Sequence, residues 1–352
     1  MARKKKKSSK LTRIIVFMFL SAFLAVSYVG YRYFTYVKES NTQAVNGDFT
    51  YIYIGTDADF EAVLEELRQK EVLIHEESFQ WVAEQKEYPD FIKPGKYKIE
   101  SGLSNNDLVN KLKGGNQEPV QVTLDHVKTL PELAAKAGAQ IEADSARLIA
   151  YMTRPEVIAH FGFAPETFVS MFIPDTYEMY WTITEEEFVK RMAREFKVFW
   201  TADRKAKAAN LGLSQSEVAA LASIVQEETR QPDEMPKVAR LYLNRLKRGM
   251  KLQADPTVKF AVGDPGLRRI YFKHLKKESP YNTYLYKGLP PGPIGLAEKR
   301  ALEAVLNAPA HDYVFMCAKP DYSGYHNFSK SLAQHNRYRR QYINFLRKEG
   351  VR

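Results

Sequence analysis

Cysteine is almost missing from this sequence. Cys317 is the only one in 352 residues, which excludes an internal disulfide and a Cys-rich metal site. Histidine is sparse too: His75, His126, His160, His274, His311, His326 and His335. None forms an H-E-x-x-H pair, because "IHEES" lacks the second histidine. His326 and His335 are too far apart to share one helical face as ligands, so no metal is expected. A P-loop, a dinucleotide fingerprint and a G-x-S-x-G elbow are also absent, and no cofactor is expected. No internal repeat or long low-complexity segment occurs.

Acid is missing from the first 13 residues, "MARKKKKSSKLTR", which hold seven Lys/Arg. The whole chain has 52 basic and 42 acidic residues. Without the tail, 45 basic residues face 42 acidic ones. That near balance gives no phosphate-tracking surface and argues against nucleic acid as a partner. A hydrophobic share of 45% with 27% charged residues supports folded cores.

Behind the basic tail comes "IIVFMFLSAFLAVSYVGYRYF", residues 14–34. Eighteen residues, Ile14 to Tyr31, carry no charge, about the minimum for a spanning helix. Tyr28, Tyr31, Tyr33 and Phe34 suit a membrane interface. The positive-inside rule places the tail in the cytoplasm and the rest outside. The aromatic end lacks a small-x-small cleavage site, so a retained anchor is expected over a signal peptide. An exported chain without disulfides fits a bacterium.

The pattern divides the chain into a basic tail (1–13), a membrane helix (14–34), a polar linker (35–47), a small α+β domain (48–122) and a mainly helical domain (123–352). In the small domain, strands are expected at 48–54, 93–100 and 119–124. Helices are expected at 57–70, 75–88 and 104–115. LysM-type carbohydrate-binding modules share such a turn-and-helix pattern. Further helices are expected at 129–138, 144–153, 185–210, 214–229, 234–248 and 297–307. Residues 264–295, rich in Pro, Gly and Tyr, are long for a structureless loop. Such a segment is usually functional or holds short strands.

One helix end draws the search for chemistry. In "SIVQEET" (223–229), an apolar helix ends in Gln226, Glu227 and Glu228. Ser214 and Glu217 have capping-box spacing at its start. At about 100° per residue, Leu221, Ile224, Val225 and Glu228 share a stripe. A carboxyl desolvated there has a raised pKa, which suits a general acid. Most glutamates at helix ends are simply solvated, so the neighbours matter. "LQADPTV" (252–258) offers Gln253, Asp255 and Thr257 beside a proline that stops a helix. "SPYNTYLYKGLPPGPIG" (279–295) offers Tyr281, Asn282, Tyr284 and Tyr286. Aromatic faces and amides in a cleft suit sugar rings.

Taken in order, "FIPDTYEMY", "LASIVQEET", "VARLYLNRLKRGMKLQADPTV", "YNTYLYKGLPPGPIG" and "HNFSKSLAQHN" resemble the endolytic murein transglycosylases, the MltG or YceG-like family. The resemblance covers most of the chain. It implies an α+β protein with an N-terminal transmembrane helix, a LysM-like domain and a lysozyme-like helical catalytic domain carrying a β/loop insertion. It also implies lytic cleavage of the β-1,4 MurNAc–GlcNAc bond of peptidoglycan, giving 1,6-anhydro ends and terminating strand elongation. The family's catalytic glutamate matches Glu228. Gln253, Asp255, Asn282, Tyr284, His326 and Ser329 are the candidates for positioning the sugar. Peptidoglycan synthases at the cytoplasmic membrane are the implied partners. Two departures stand out. Gln226 replaces a glutamate of the family's common "VEKE", which argues against an essential role there. "HVKTLPELA" (126–134) lacks the usual "PEG" entry. Two other readings remain open: a hydrolytic muramidase with Asp255 as second carboxylate, and a non-catalytic wall-binding scaffold.

Overall fold

A computed structural model describes residues 10–350 apart from 46, 265 and 268. The first nine residues of the expected tail lie outside the described residues. Helix α1 spans Lys10–Val37. Its 28 residues at about 1.5 Å each reach beyond a hydrocarbon core of about 30 Å. Among the described residues it alone is long and apolar enough to cross a membrane. It runs past the expected end at residue 34.

The chain divides into two compact units. One runs to Val120 and includes Tyr180–Thr182; the other holds Gln121–Met179 and Ile183–Arg352.

In the first unit, β1 (Phe49–Ile54) is followed by α2 (Phe60–Gln69), α3 (Glu76–Gln85), β2 (Gly95–Glu100) and α4 (Asn105–Gly114). β1 and β2 pair antiparallel, from Phe49 opposite Glu100 to Ile54 opposite Gly95. Alternation in β2 turns Tyr97 and Ile99 inward. They meet Ile52, Leu67, Phe79 and Leu108 in one core. The helices start where their caps dictate: Asp59 accepts from the Ala62 N–H, and Ser104 from that of Asp107. Gly115, left-handed at φ 72°, stops α4.

The polar linker expected at 35–47 packs into the first unit. Val37 enters the core, and Asn41 and Thr42 are buried. The Asn41 side chain receives the His75 N–H at 2.7 Å. It donates to the His75 carbonyl at 2.9 Å and to Asn105 Oδ1 at 2.6 Å. Asn105 in turn donates to the Tyr36 carbonyl and to Ser78 Oγ. The polar groups of this linker are hydrogen-bond partners for backbone that would otherwise be buried unpaired.

In the second unit, β3 (Val120–Leu124) pairs with β4 (Asp175–Met179), not with β1 or β2. Between them lie α5 (Leu130–Gly138), α6 (Ser145–Met152) and α7 (Pro155–His160). Then follow α8 (Glu185–Phe199), α9 (Ala202–Asn210), α10 (Gln215–Glu228), α11 (Met235–Lys247) and α12 (Asp255–Val262). The chain closes with α13 (Phe272–Leu275), α14 (Lys299–Leu306), the β5 (Phe315–Ala318) and β6 (His326–Ser329) hairpin, and α15 (Leu332–Lys348).

α10 is the axis of this unit. Every residue from Val218 to Val225 is buried, and the helix packs on α11, α12 and α14. The single helix expected at 185–210 is two. Buried Trp200 leaves the helix, and Thr201 caps α9 by accepting from the Arg204 N–H. Pro256 does not stop a helix; it sits in the first turn of α12, where a missing N–H costs nothing. α15 was not expected at all. The long 264–295 segment contains the short α13 but no strand among its described residues.

The Asn41 network gives a stability prediction. Asn41→Ala leaves the His75 N–H and an Asn105 oxygen without their partner, at about 1–3 kcal/mol for each unpaired group. Thermal melting of the full chain in detergent should show a clear loss of Tm. An unchanged Tm would mean the segment is a free stalk.

Candidate active site

The site is built at the C-terminal end of α10. Ser214 starts this helix through a complete capping box with Glu217, as its spacing predicts. The other end is held by polar side chains on the helix itself. Ser223 Oγ accepts the Ile294 N–H at 3.0 Å. Gln226 accepts the Glu298 N–H at 2.8 Å and donates to the Leu296 carbonyl at 3.3 Å. Gln226 is therefore a staple to residues 294–298. Gly292, just before them, cannot be replaced cheaply: an added Cβ would lie 1.9 Å from the Glu166 carbonyl oxygen.

The two adjacent carboxylates differ sharply. Glu227 is exposed and pairs with Lys128 at 3.3 Å. Glu228 turns to protein and accepts a 2.7 Å hydrogen bond from the Tyr242 hydroxyl. Its surface is partly open, yet protein crowds the carboxyl closely enough that burial dominates its titration. Burial pushes its pKa from 4.5 up to about 7. The hydrogen bond from Tyr242 pulls the other way, the charge of Asp255 adds to the rise, and His326 and Arg245 oppose it. Tyr242 is held well above its usual value, first by burial and then by Glu228. It therefore keeps its proton and acts as a donor.

Two neighbouring segments supply the wall. Asp255 opens α12, and its Oδ1 accepts the Tyr284 hydroxyl at 2.6 Å. Behind this contact, Thr257 and Thr283 share a buried 2.8 Å hydrogen bond. Thr283 also accepts the Ala254 N–H at 3.0 Å, and its carbonyl accepts the Gln253 N–H at 3.1 Å. The segments "LQADPTV" and "YNTY" are thus fastened together. Gln253 is exposed and left-handed at φ 49°, a conformation that costs a non-glycine residue on the order of 1 kcal/mol or more.

Not every expected site residue lines that wall. Asn282 is fully buried. Its amide donates to the Leu275 and Lys277 carbonyls and accepts the Tyr284 N–H. It braces the loop that carries Tyr284. Ser329 is fully buried in the hairpin, and its hydroxyl has no hydrogen-bond partner among the described residues. His326, at the start of β6, is mostly buried, and its Nδ1 lies 2.7 Å from Glu234 Oε2. Glu234 also accepts the His326 backbone N–H at 2.8 Å. The structure brings Asp255, Tyr284 and His326 within electrostatic reach of Glu228.

Three members went unread in the sequence: Tyr242, Arg245 and Glu234. Arg245 is buried and donates to the Val314 carbonyl at 2.7 Å and to that of Leu252 at 2.5 Å. A signal did exist. Tyr242 and Arg245 stand on the apolar face of α11 with Val238, Leu241 and Ala239, where an arginine needs a reason to be buried. Among the described residues, no group of His, Cys, Asp and Glu could hold a metal ion.

A carboxyl with a raised pKa, set in a helical unit, has the proton affinity that a general acid needs. The YceG-like family matches residues 52–341, and the chain belongs to that family. An "Endolytic murein transglycosylase" of Bacillus subtilis (strain 168) is 27% identical over 308 residues, covering 83% of this chain and 84% of its own. One of the same name from Streptococcus pneumoniae (strain ATCC BAA-255 / R6) is 24% identical over 346 residues, covering 86% of this chain and 60% of its own. The crystal structure of a putative yceG-like protein from Listeria monocytogenes shares the fold. Its TM-score is 0.56 at 24% identity, with 83% of this chain and 99% of that one covered.

The raised pKa makes a prediction that needs no substrate. Below about pH 4.5, Glu228 is protonated in the folded and unfolded chain alike. Between 4.5 and about 7, only the unfolded chain loses the proton, so stability falls as pH rises. Glu228→Gln has no such proton. Its Tm relative to the parent should climb between pH 4.5 and 7 and then level off. A constant difference would contradict the raised pKa.

Proposed function

We propose that the chain is a membrane-anchored lytic transglycosylase that cuts the β-1,4 MurNAc–GlcNAc bond within peptidoglycan strands. One observation carries this reading: Glu228 is crowded by protein and bonded to Tyr242, and burial pushes its pKa up to about 7. A general acid must hold its proton at working pH and be able to release it. The names of the curated relatives supply the substrate class.

The chemistry needs one carboxyl. Glu228 gives its proton to the glycosidic oxygen as the C1–O bond breaks. The carboxylate left behind takes the proton from the C6 hydroxyl of MurNAc, and O6 closes on C1. The ring product is a 1,6-anhydro sugar, and no water is consumed. Because the nucleophile belongs to the same sugar, its effective concentration is high and no second carboxylate is required. Tyr242 holds the Glu228 carboxyl in place throughout. Asp255 and Tyr284 form the polar wall for sugar hydroxyls, with Gln253 and His326 at its edges. Asn282 acts from behind it.

The helix α1 would anchor the protein in the cytoplasmic membrane with the catalytic unit outside, which suits cutting new strands and ending their elongation beside a synthase. The strand–helix–helix–strand order of the first unit supports a LysM-like, glycan-holding role, and the buried carboxyl-bearing α10 a lysozyme-like one. Hydrolysis is the second reading, favoured by the nearness of Asp255 to Glu228. A water activated by Asp255 would then replace O6 as nucleophile.

Product mass separates the two, since an anhydro end is one water lighter than a reducing end. The parent should release anhydro ends from purified glycan strands. Glu228→Gln keeps the shape and removes the proton. It should lose activity by about a hundred- to ten-thousand-fold while melting as a folded protein. An active Glu228→Gln enzyme would overturn the assignment; reducing ends would favour the muramidase.

Topology is tested separately. Protease added to spheroplasts should digest both outer units and spare the N-terminus. A protected C-terminal unit would reverse the orientation.

A further inference from the structure

Beside the site lies a cavity of about 380 Å³, within the usual range of about 300–1,000 Å³ for small-molecule pockets. One face of α12 lines it: Pro256, Lys259, Phe260 and Gly263 recur at helical spacing. Glu227 and Ile294 border it as well. Glu227 adjoins Glu228 in sequence and Pro256 adjoins Asp255. The cavity thus shares the last turn of α10 with Glu228 and the first turn of α12 with Asp255.

Its surface is chemically divided. Pro256, Phe260 and buried Ile294 are apolar. Phe260 is fixed by ring contact with Tyr281, centroids 4.8 Å apart. The rim carries one ion pair and two carboxylates that accept backbone N–H groups and keep their charge. Lys128 pairs with Glu227, Glu132 accepts the Lys128 N–H, and Asp264 accepts the Gly266 N–H. Lys259 differs: its ammonium has no hydrogen-bond or ion-pair partner among the described residues. An apolar floor with an unpaired ammonium at Lys259 and carboxylates at Glu132 and Asp264 suits a short peptide that bears charges of both signs, its carboxylate at Lys259.

We propose that this cavity receives the peptide stem of the muramoyl residue being cleaved, with Lys259 meeting a stem carboxylate. The inference rests on the peptidoglycan reading above. Muramic acid carries its stem on a lactyl arm, so a sugar placed at Glu228 must lodge that arm on a neighbouring surface. Pro256, Phe260 and Ile294 would pack against small side chains, and Lys259 would supply the charge. The stem would then help to hold the sugar over Glu228.

The test compares two substrates for the full-length protein in detergent: intact glycan strands and the same strands stripped of stems by an amidase. The parent should have the higher kcat/KM on intact strands. Lys259→Glu should lower that value about tenfold, the order of one charge-assisted contact. It should leave cleavage of stripped strands unchanged, and Lys259→Arg should retain the preference. Equal loss on both substrates would make Lys259 a structural residue and overturn the proposal, as would a parent indifferent to stems. A parent that cleaves neither substrate would instead overturn the underlying peptidoglycan reading.

Discussion

The hydrogen bond from Tyr242 to Glu228 joins α11 to the end of α10 at a point where burial and charge compete. Burial favours the neutral carboxyl. The tyrosine hydroxyl favours the ionised one. The outcome, a pKa of about 7, depends on both helices holding their places. α10 is enclosed from Val218 to Val225, and Arg245 ties α11 to the carbonyls of Leu252 and Val314. A looser end to α10 would let water reach Glu228 and return it toward an ordinary carboxylate.

Around that bond, rigidity comes from short polar links. The Thr257–Thr283 contact fixes Asp255 relative to Tyr284. Ser223 and Gln226 fasten residues 294–298 to the helix, and Gly292 lets the chain pass close to Glu166. Residues that could pass for solvated loop polarity thus fix the position of a wall. The same lesson holds in the first unit, where Asn41 and Asn105 satisfy buried backbone.

What was legible in the sequence follows from how local each signal is. The capping box of Ser214 and Glu217 involves four consecutive residues and is found where expected. The helices of the first unit also fall near their expected ranges, because their caps and apolar stripes agree. Glu228 was singled out on a narrow stripe, but α10 proves to be buried on all sides, so periodicity alone does not separate it from Gln226. Their partners do: backbone for Gln226, the Tyr242 hydroxyl for Glu228. The break at Trp200–Thr201 was missed although the apolar stripe ends at Trp200 and Thr201 is a good N-cap, because helix-favouring residues stand on both sides of it. α15, "LAQHNRYRRQYINFLRK", was missed because its residues are mostly polar and none is fully buried. Pairing of β3 with β4 spans some 50 residues and leaves no local trace. Tyr242, Arg245 and Glu234 act through such distant contacts.

Direct titration of Glu228 tests the central claim most closely. Carbon-detected NMR of the full chain with labelled glutamate side chains, assigned by comparison with Glu228→Gln, would follow this one carboxyl through pH 3 to 9 (a range set around the usual glutamate value of about 4.3). The account predicts a midpoint near 7. A midpoint at the ordinary 4.5 would mean that water reaches the carboxyl freely, and the general acid would have to be sought elsewhere.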